Sequence, residues 1–541
     1  MLGFFERHRL VRKGLASAKT RRRRPQNEML RSMETGLLMK CLIFVGFLCG
    51  LWALIASGTE QFSATRFLIG LLIFLVALAQ LWINHPQTFA SSSRTALIFG
   101  TILTQLAIIK GLIAIAINNP QTLSPQAAVL LVPYAFAPLI CSVLLGKTQG
   151  LYAATFVSLW GALIYQSGKA AMFQGGYVAA FLVMSLICGF VAVFLTMEVR
   201  RRSRLVRAGF SVGLVTWLLA MPLGFIYIPW EIFPALDWNA IGWESLDAIG
   251  SGIATGVIVG GILPVLESLF GVTTEISWLE TSDLNHPLLK RLTIEAPGTY
   301  HHSLVVANLA EAAAEAIGAN ATMCRVCAYF HDIGKLVKPD YFTENMSQER
   351  NPHDDLAPTM SALIIIAHVK EGVDLALKSN LNQQIIDVIQ QHHGNSIVNY
   401  FHKRALQQQE DARQGGKIMN IRAEDIPEVR EDSFRYPGPR PQSKECGIIS
   451  LADAVESASR SIEKVTPQKL EQLIGDIIEG RILDGQLDEC EISLKELKQV
   501  AESFRFTLQS MMHSRIAYNP TGSQPSAVAR GRNDAPPVSA A

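Results

Sequence analysis

Apolar residues fall into eight long runs in the first half of the chain, near 38–57, 67–84, 96–117, 127–146, 151–168, 177–197, 208–228 and 248–271. A helix needs ~20 mostly apolar residues to cross the bilayer core, and each run approaches that length. Between residues 41 and 197 only Glu60, Arg66, Arg94, Lys110, Lys147 and Lys169 carry charge. Beyond residue 272 apolar positions recur at helical spacing among ordinary numbers of charged ones, as amphipathic helices require. The pattern predicts an all-α protein. A basic segment over 1–36 precedes a polytopic transmembrane bundle of about eight helices over 37–271. A linker over 272–300 leads to a soluble helical domain over 301–465, with a loop insertion at about 405–445. C-terminal helices over 466–515 and a disordered tail over 516–541 rich in Pro, Ser, Ala and Gly complete the reading.

Composition sharpens this division. Apolar residues make up 49% of the 541 positions and charged residues 17%, against ~25% charged in a typical soluble domain. That excludes a disordered chain, a disulfide scaffold and an ordinary cytosolic enzyme. The net charge of +2 averages two unlike halves.

Charge placement sets the expected topology. Residues 1–40 hold 11 Lys or Arg against three acids, including Arg21–Arg24, and the first run lacks a following signal-peptide cleavage site. The segment 198–207 is also strongly basic, whereas 229–247 carries four acids with Trp230, Trp238 and Trp243. The positive-inside rule puts the basic segments in the cytoplasm and the acidic, Trp-rich one outside. An even number of spans then returns the C-terminal half to the cytoplasm.

Arg21–Arg24 is either a topology anchor or a site for anionic lipid. Lys110, inside a run, either snorkels to the nearer interface or serves in sensing. The eight cysteines include one close pair, Cys324 and Cys327, without the second pair a zinc site would need; buried helix residues are the expected reading. Asn285 and His286 before Pro287 suggest a turn opening a helix in the linker, which is either a passive tether or a transmitter of span movement.

Histidine placement is the strongest chemical signal. Eight of the twelve histidines fall between 286 and 393. His302 opens an Ala-rich helix ending at Gly318, His331-Asp332 ends a helical stretch, and His368 follows the apolar run 363–367. His392-His393 closes Ile-Ile-Asp-Val-Ile-Gln-Gln, and Asp453 lies in another apolar helix. Buried imidazoles and carboxylates are costly unless paired or metal-bound. Contributed by separate helices, they could form one polar cluster in a bundle core, and mixed His/Asp ligation suits zinc, iron or manganese better than calcium.

His302, His331-Asp332 and Asp453, in this order, resemble the H…HD…D signature of HD-domain metal phosphohydrolases. His368 and His392-His393 resemble the subset that holds two metals. The surrounding text is similar to the 7TM-HD family, which includes bacterial cyclic-di-AMP phosphodiesterases. The stretches that carry the likeness are Ala296-Pro-Gly-Thr-Tyr-His-His-Ser303, His331-Asp-Ile-Gly-Lys335, Asn351-Pro-His-Asp354, His368-Val-Lys370 and His392-His-Gly394. Tyr436-Pro-Gly-Pro439 and Asp484-Gly-Gln-Leu-Asp-Glu489 add to it. Typical members carry a large extracytoplasmic domain after the first span. Here only about ten residues, near Ser57–Arg66, separate the first two runs, so an extracellular-ligand role is not expected.

The resemblance implies a multi-pass protein of the bacterial cytoplasmic membrane whose HD domain hydrolyses cyclic-di-AMP to 5′-pApA. It implies two divalent ions, iron or manganese: one held by His302, His331, Asp332 and Asp453, the other by Asp332, His368, His392 and His393. A metal pair would neutralise the phosphodiester, clamp it and activate the attacking water. Asp332 and Lys335 are the catalytic candidates, Lys335 meeting a phosphate oxygen. Tyr300, Tyr436 and Arg460 are substrate-binding candidates. His301, about 100° around the helix from His302, is ranked outside the ligand set. His286 and His353 either act at the site or only cap and pack.

The Gly-Tyr-Pro motif of the cyclic-di-GMP branch is absent after His392-His393. The expected partners are a cyclic dinucleotide and the lipid bilayer; a homodimer is compatible and no nucleic-acid polymer is expected. The alternatives are a phosphohydrolase for another nucleotide, a membrane receptor that binds nucleotide without turnover, and a transporter with a regulatory domain.

Overall fold

A computed structural model describes residues 36–57, 63–165, 175–197, 199–226, 238–346, 351–419, 428–462 and 466–513. The Arg21–Arg24 run, Trp230 and the 516–541 tail lie outside them. Among the described residues the chain is helical, with one isolated antiparallel bridge between Ile397 and Arg435.

The apolar half forms α1 (Leu37–Ala56), α2 (Ala64–Asn84), α3 (Pro86–Ala90), α4 (Ser92–Asn118) and α5 (Pro125–Leu130). It continues with α6 (Phe136–Leu145), α7 (Lys147–Tyr165), α8 (Gly175–Leu195), α9 (Ser203–Ala220) and α10 (Trp238–Phe270). Among the described residues five helices, α1, α2, α4, α8 and α10, are long and apolar enough to cross a membrane, rather than the expected eight.

The run at 127–146 is split into α5 and α6. Pro133 has no N–H to donate, and its ring clashes with the preceding turn of a helix. The backbone groups freed by the break find partners inside the bundle. Gln105 Nε2 donates to the carbonyls of Pro133 (3.0 Å) and Tyr134 (3.2 Å), and its Oε1 accepts from the Ala137 N–H (2.9 Å). Ser251 Oγ donates to the Leu131 carbonyl at 2.9 Å. Non-helical backbone survives in an apolar medium only with such internal satisfaction. The other two runs correspond to α7 and α9, of 19 and 18 residues, which include Lys147 and the pair Arg204 and Arg207.

Only 17% and 22% of the apolar windows of α1 and α2 are buried, so most of their surface is left for lipid. At the opposite extreme, α9 and α10 cross with backbones in contact. A Cβ on Gly252 would lie 2.4 Å from the Gly209 carbonyl oxygen and 2.5 Å from the Gly213 nitrogen. Gly209, Gly213, Gly252 and Gly256 thus form two small-xxx-small faces that allow this approach.

The linker is helical rather than a simple connector. It contains α11 (Glu275–Thr281) and α12 (Pro287–Glu295), and Trp278, Leu288 and Leu289 are buried in the core of the second half. That half continues with α13 (Pro297–Ile317), α14 (Ala321–Phe330), a 3-10 turn at Ile333–Val337, α15 (Pro358–Lys378) and α16 (Gln383–Gln391). It ends with α17 (Asn399–Met419), α18 (Lys444–Ser459), α19 (Pro467–Leu483) and α20 (Leu494–His513). The expected loop at 405–445 begins as helix, because Phe401 and Ala405 on α17 pack against Ala362 and Phe434.

α13 lies at the centre of this half. Its buried face is Val306, Ala307, Ala310, Ala313 and Ala314, and the small alanines let neighbouring helices approach closely. It stops at Gly318, whose left-handed φ of 71° suits glycine.

Candidate dimetal site

Each site residue stands where local sequence ends or faces a helix. His302 lies in the first turns of α13 on its buried face. α14 and α16 are short helices of 10 and 9 residues that terminate at His331 and His392, so His331-Asp332 and His392-His393 are presented at helix ends. α15 supplies His368 and α18 supplies Asp453. These elements converge, and burial removes the group from water: His331 and His392 are fully buried, and His302, Asp332 and His368 nearly so.

Two ligand groups emerge, each with its donor atoms within 4.8 Å of one another. One is His302, His331, Asp332 and Asp453; the other is Asp332, His368, His392 and His393. Asp332 belongs to both. Its Oδ2 faces His331 Nε2 at 3.3 Å and His302 Nε2 at 3.5 Å. Its Oδ1 faces His368 Nε2 at 3.4 Å and His392 Nε2 at 3.7 Å. Asp453 completes the cluster, 3.1 Å from His302 Nε2 and 3.5 Å from His393 Nδ1.

The far side of each ring tests whether a cation fits. His331 Nδ1 bonds the Ala328 carbonyl at 2.7 Å, His368 Nδ1 the Ile365 carbonyl at 2.6 Å, and His392 Nδ1 the Ile389 carbonyl at 2.9 Å. A carbonyl only accepts, so each Nδ1 carries the proton and each neutral ring aims its Nε2 lone pair into the cluster. His302 Nδ1 meets the buried Glu456 carboxylate at 2.5 Å. His302 Nε2, His331 Nε2 and Asp332 Oδ1 are buried without a hydrogen bond. Lone pairs converging on carboxylate oxygens repel unless a positive charge lies between them. The donor set therefore fits divalent cations, with Glu456 and the backbone carbonyls orienting the ligands from behind.

The electrostatics show the same demand for positive charge, which a proton on His331 or a cation in its place would meet. Burial opposes ionisation of Asp332, but Lys335 and His331 outweigh it and hold its carboxyl well below the usual range. Burial likewise opposes charge on His331, yet Asp332 and Asp453 push it up to about 10. His368 falls to about 4, chiefly through burial. Burial also drives His393 well below its ordinary value, with His392 adding to the effect.

Lys335 lies 2.8 Å from Asp332 Oδ2 and 2.7 Å from Glu344 Oε1, with its ammonium 5.0 Å from the centre of the Phe342 ring. Glu344 also accepts from Thr299 Oγ1 at 3.0 Å. Tyr436 stacks on His393 with ring centres 4.3 Å apart and meets the His368 ring edge-on at 6.0 Å. Arg460 reaches the cluster through Glu456, at 2.7 Å. Tyr300 instead packs with Leu292, Ala296 and Leu336. His301 is exposed. His286 accepts from the Leu288 N–H and caps α12, while His353 bonds the Tyr341 carbonyl at 2.8 Å and packs on Phe401. Sequence reasoning missed Glu344 and Glu456. Glu456 had a signal, since it follows Asp453 at i+3 on the same helix face; Glu344, in an irregular segment, had none.

Comparison with known proteins places this geometry in context. Residues 61–274 match the family described as 7TM receptor with intracellular HD hydrolase, and residues 299–458 match the HD domain family. The chain is 33% identical over 459 residues to the cyclic-di-AMP phosphodiesterase PgpH of Bacillus subtilis, covering 85% of this chain and 60% of that protein. It is 35% identical over 453 residues to the PgpH of Listeria monocytogenes, covering 83% of this chain and 58% of that one. The chain thus spans about 60% of the length of the curated relatives it matches. The crystal structure of the L. monocytogenes PgpH HD domain in complex with cyclic-di-AMP is 43% identical. That alignment covers 42% of this chain and all of the solved one, with a TM-score of 0.38.

Proposed function

This chain belongs to the membrane family of 7TM receptors with an intracellular HD hydrolase, and from that premise we propose that it is a phosphodiesterase that hydrolyses cyclic-di-AMP to 5′-pApA. The observation that carries the reading is the shared Asp332, whose two oxygens face two separate histidine groups. Relatives named as cyclic-di-AMP phosphodiesterases align with most of the chain, and that supports the substrate.

The ligand assignment follows the two groups: His302, His331, Asp332 and Asp453 for one ion, Asp332, His368, His392 and His393 for the other. Both ions would be iron or manganese. When bound, such a pair supplies charge neutralisation at the phosphate and an activated water. The chain's own residues do the rest. Glu456 and three backbone carbonyls fix the ring orientations. Lys335, held by Glu344, keeps Asp332 ionised and offers an ammonium for a phosphate oxygen. Tyr436 walls the site beside His393 and presents a ring edge on which a base could pack. Arg460 braces Glu456.

The site faces the cytoplasm in this reading. Arg202, in the basic segment before α9, pairs with Glu280 of α11 at 2.8 Å. That contact supports an HD domain on the same side as that segment, which the positive-inside rule assigns to the cytoplasm.

The test uses the full chain in detergent, loaded separately with manganese and iron and offered cyclic-di-AMP and cyclic-di-GMP. Products are followed by chromatography, with Asp332→Ala as control. Preferential formation of pApA, lost in the variant, is expected. Tight binding without turnover under either metal would instead make the chain a nucleotide receptor. Absence of both binding and turnover would remove the cyclic dinucleotide from the reading.

A further inference from the structure

Between the membrane helices and the metal cluster stands α11, and its contacts run in both directions. On the membrane side, Glu267 near the end of α10 accepts from the Thr274 N–H at 3.1 Å, from the Thr274 hydroxyl, and from Ser277 Oγ at 2.6 Å. Glu280 takes both the Nε and an Nη of Arg202, at 2.8 and 3.0 Å. On the other side, the segment touches the starts of two particular helices. Glu275 Oε1 accepts from Asn320 Nδ2 at 3.0 Å, and Thr273 Oγ1 accepts from Asn382 Nδ2 at 2.6 Å.

Asn320 and Asn382 are the N-caps of α14 and α16, each accepting a backbone N–H from its own helix. These are the two short helices whose far ends are His331-Asp332 and His392-His393. At ~1.5 Å per residue each is only ~15 Å long, a rigid strut with the linker at one end and metal ligands at the other. Trp278, buried in the core of the second half, keeps α11 from sliding independently.

We propose that Thr273 and Glu275 are positioning residues for the metal cluster. They register α14 and α16 against the end of the last membrane helix, so that the position of α10 sets the separation of the two ligand groups. The inference rests on the dimetal reading above. A closely packed protein interior transmits a displacement along such struts rather than absorbing it. A shift of α10 then acts on both ligand-bearing helix ends, and the two groups that share Asp332 change their spacing. The tight glycine crossing of α9 on α10 makes these helices a single body able to drive that shift.

The test is the full chain in detergent loaded with two manganese ions, comparing wild type with the double variant Thr273→Val/Glu275→Ala. The exchange coupling in the electron paramagnetic resonance spectrum reports the spacing of the ions and needs no substrate. The expected result is an altered coupling in the variant and a kcat lower by ~10-fold to 10²-fold with KM little changed, because the loss is one of geometry. Thr273→Ser with Glu275 intact, which keeps the acceptor oxygen for Asn382, should keep the wild-type spectrum, and a shifted spectrum there would count against the proposal. Glu267→Ala, cutting the membrane side, should shift the spectrum as well. A variant that melts earlier but keeps the wild-type coupling and kcat would show a structural contact only and overturn the proposal. A wild-type chain without a coupled ion pair would sink the dimetal reading, and this inference with it.

Discussion

Gly334 offers a sharp test of the site, because its backbone lies against α15 where that helix carries His368. A Cβ at position 334 would sit 1.8 Å from the His368 carbonyl oxygen and 2.5 Å from the Gly372 nitrogen. Real Cβ atoms essentially never come closer than 3.0 Å, so Gly334→Ala must open the gap by ~1.2 Å. Both obstacles are backbone, so no side chain can turn aside. Asp332 lies two residues before Gly334, and its Oδ1 is 3.4 Å from His368 Nε2. Taken up along that direction, the displacement leaves ~4.6 Å between these atoms. Two ligands bonded to one ion at ~2.1 Å each can be at most ~4.2 Å apart. The variant should therefore lose the ion shared by Asp332 and His368 while keeping the other group. Overpacking of this kind destabilises by ~1–3 kcal/mol, and a misplacement of ~1 Å costs ~10²-fold in rate. Metal content per chain by mass spectrometry, hydrolysis of cyclic-di-AMP and thermal unfolding, all on the purified full chain, separate these effects. A Gly334→Ala protein with two ions per chain and wild-type turnover would refute the reasoning.

Three further outcomes are expected. Glu456→Gln keeps the shape but removes the charge behind His302, and metal affinity should fall ~10–100-fold with little change in melting temperature, as a metal titration would read. Gly252→Leu places side-chain atoms on the Gly209 and Gly213 backbones and should part α9 from α10; cross-linking of cysteines introduced along that crossing should fall, and efficient cross-linking would contradict the packing. Burial raises the Glu344 carboxyl, but the Lys335 ammonium outweighs it, so its folded pKa lies below the ordinary 4.5. A lowered folded pKa means that its stabilisation is complete above 4.5 and is lost as pH falls through the folded value. Acid unfolding of Glu344→Gln should accordingly show a weaker pH dependence below 4.5 than wild type, and parallel acid limbs would count against the ion pair.

The His/Asp cluster could be read from the sequence because burying charge is costly: seven His and Asp positions within or at the ends of apolar helices demand a common explanation. The division into an apolar and a charged half was legible for a related reason, since a bilayer admits only long apolar stretches. Legibility failed where local pattern does not determine the outcome. The run at 127–146 is apolar throughout, yet Pro133 breaks it, and the break persists because Gln105 and Ser251, distant in sequence, satisfy its backbone. Residues 405–419 look like a polar loop but are helical because Phe401 and Ala405 find partners in Ala362 and Phe434.

Hydropathy and residue chemistry by themselves determined that this chain has a membrane half and a buried His/Asp cluster, since both follow from the free energy of moving each side chain out of water. The family resemblance implied that Asp332 belongs to both groups; only the tertiary structure decided that Glu456 and Glu344 brace His302 and Lys335, and that Thr273 and Glu275 touch the starts of the two helices ending at His331 and His392. Those are distances between residues far apart in the chain, and packing rather than local preference sets them.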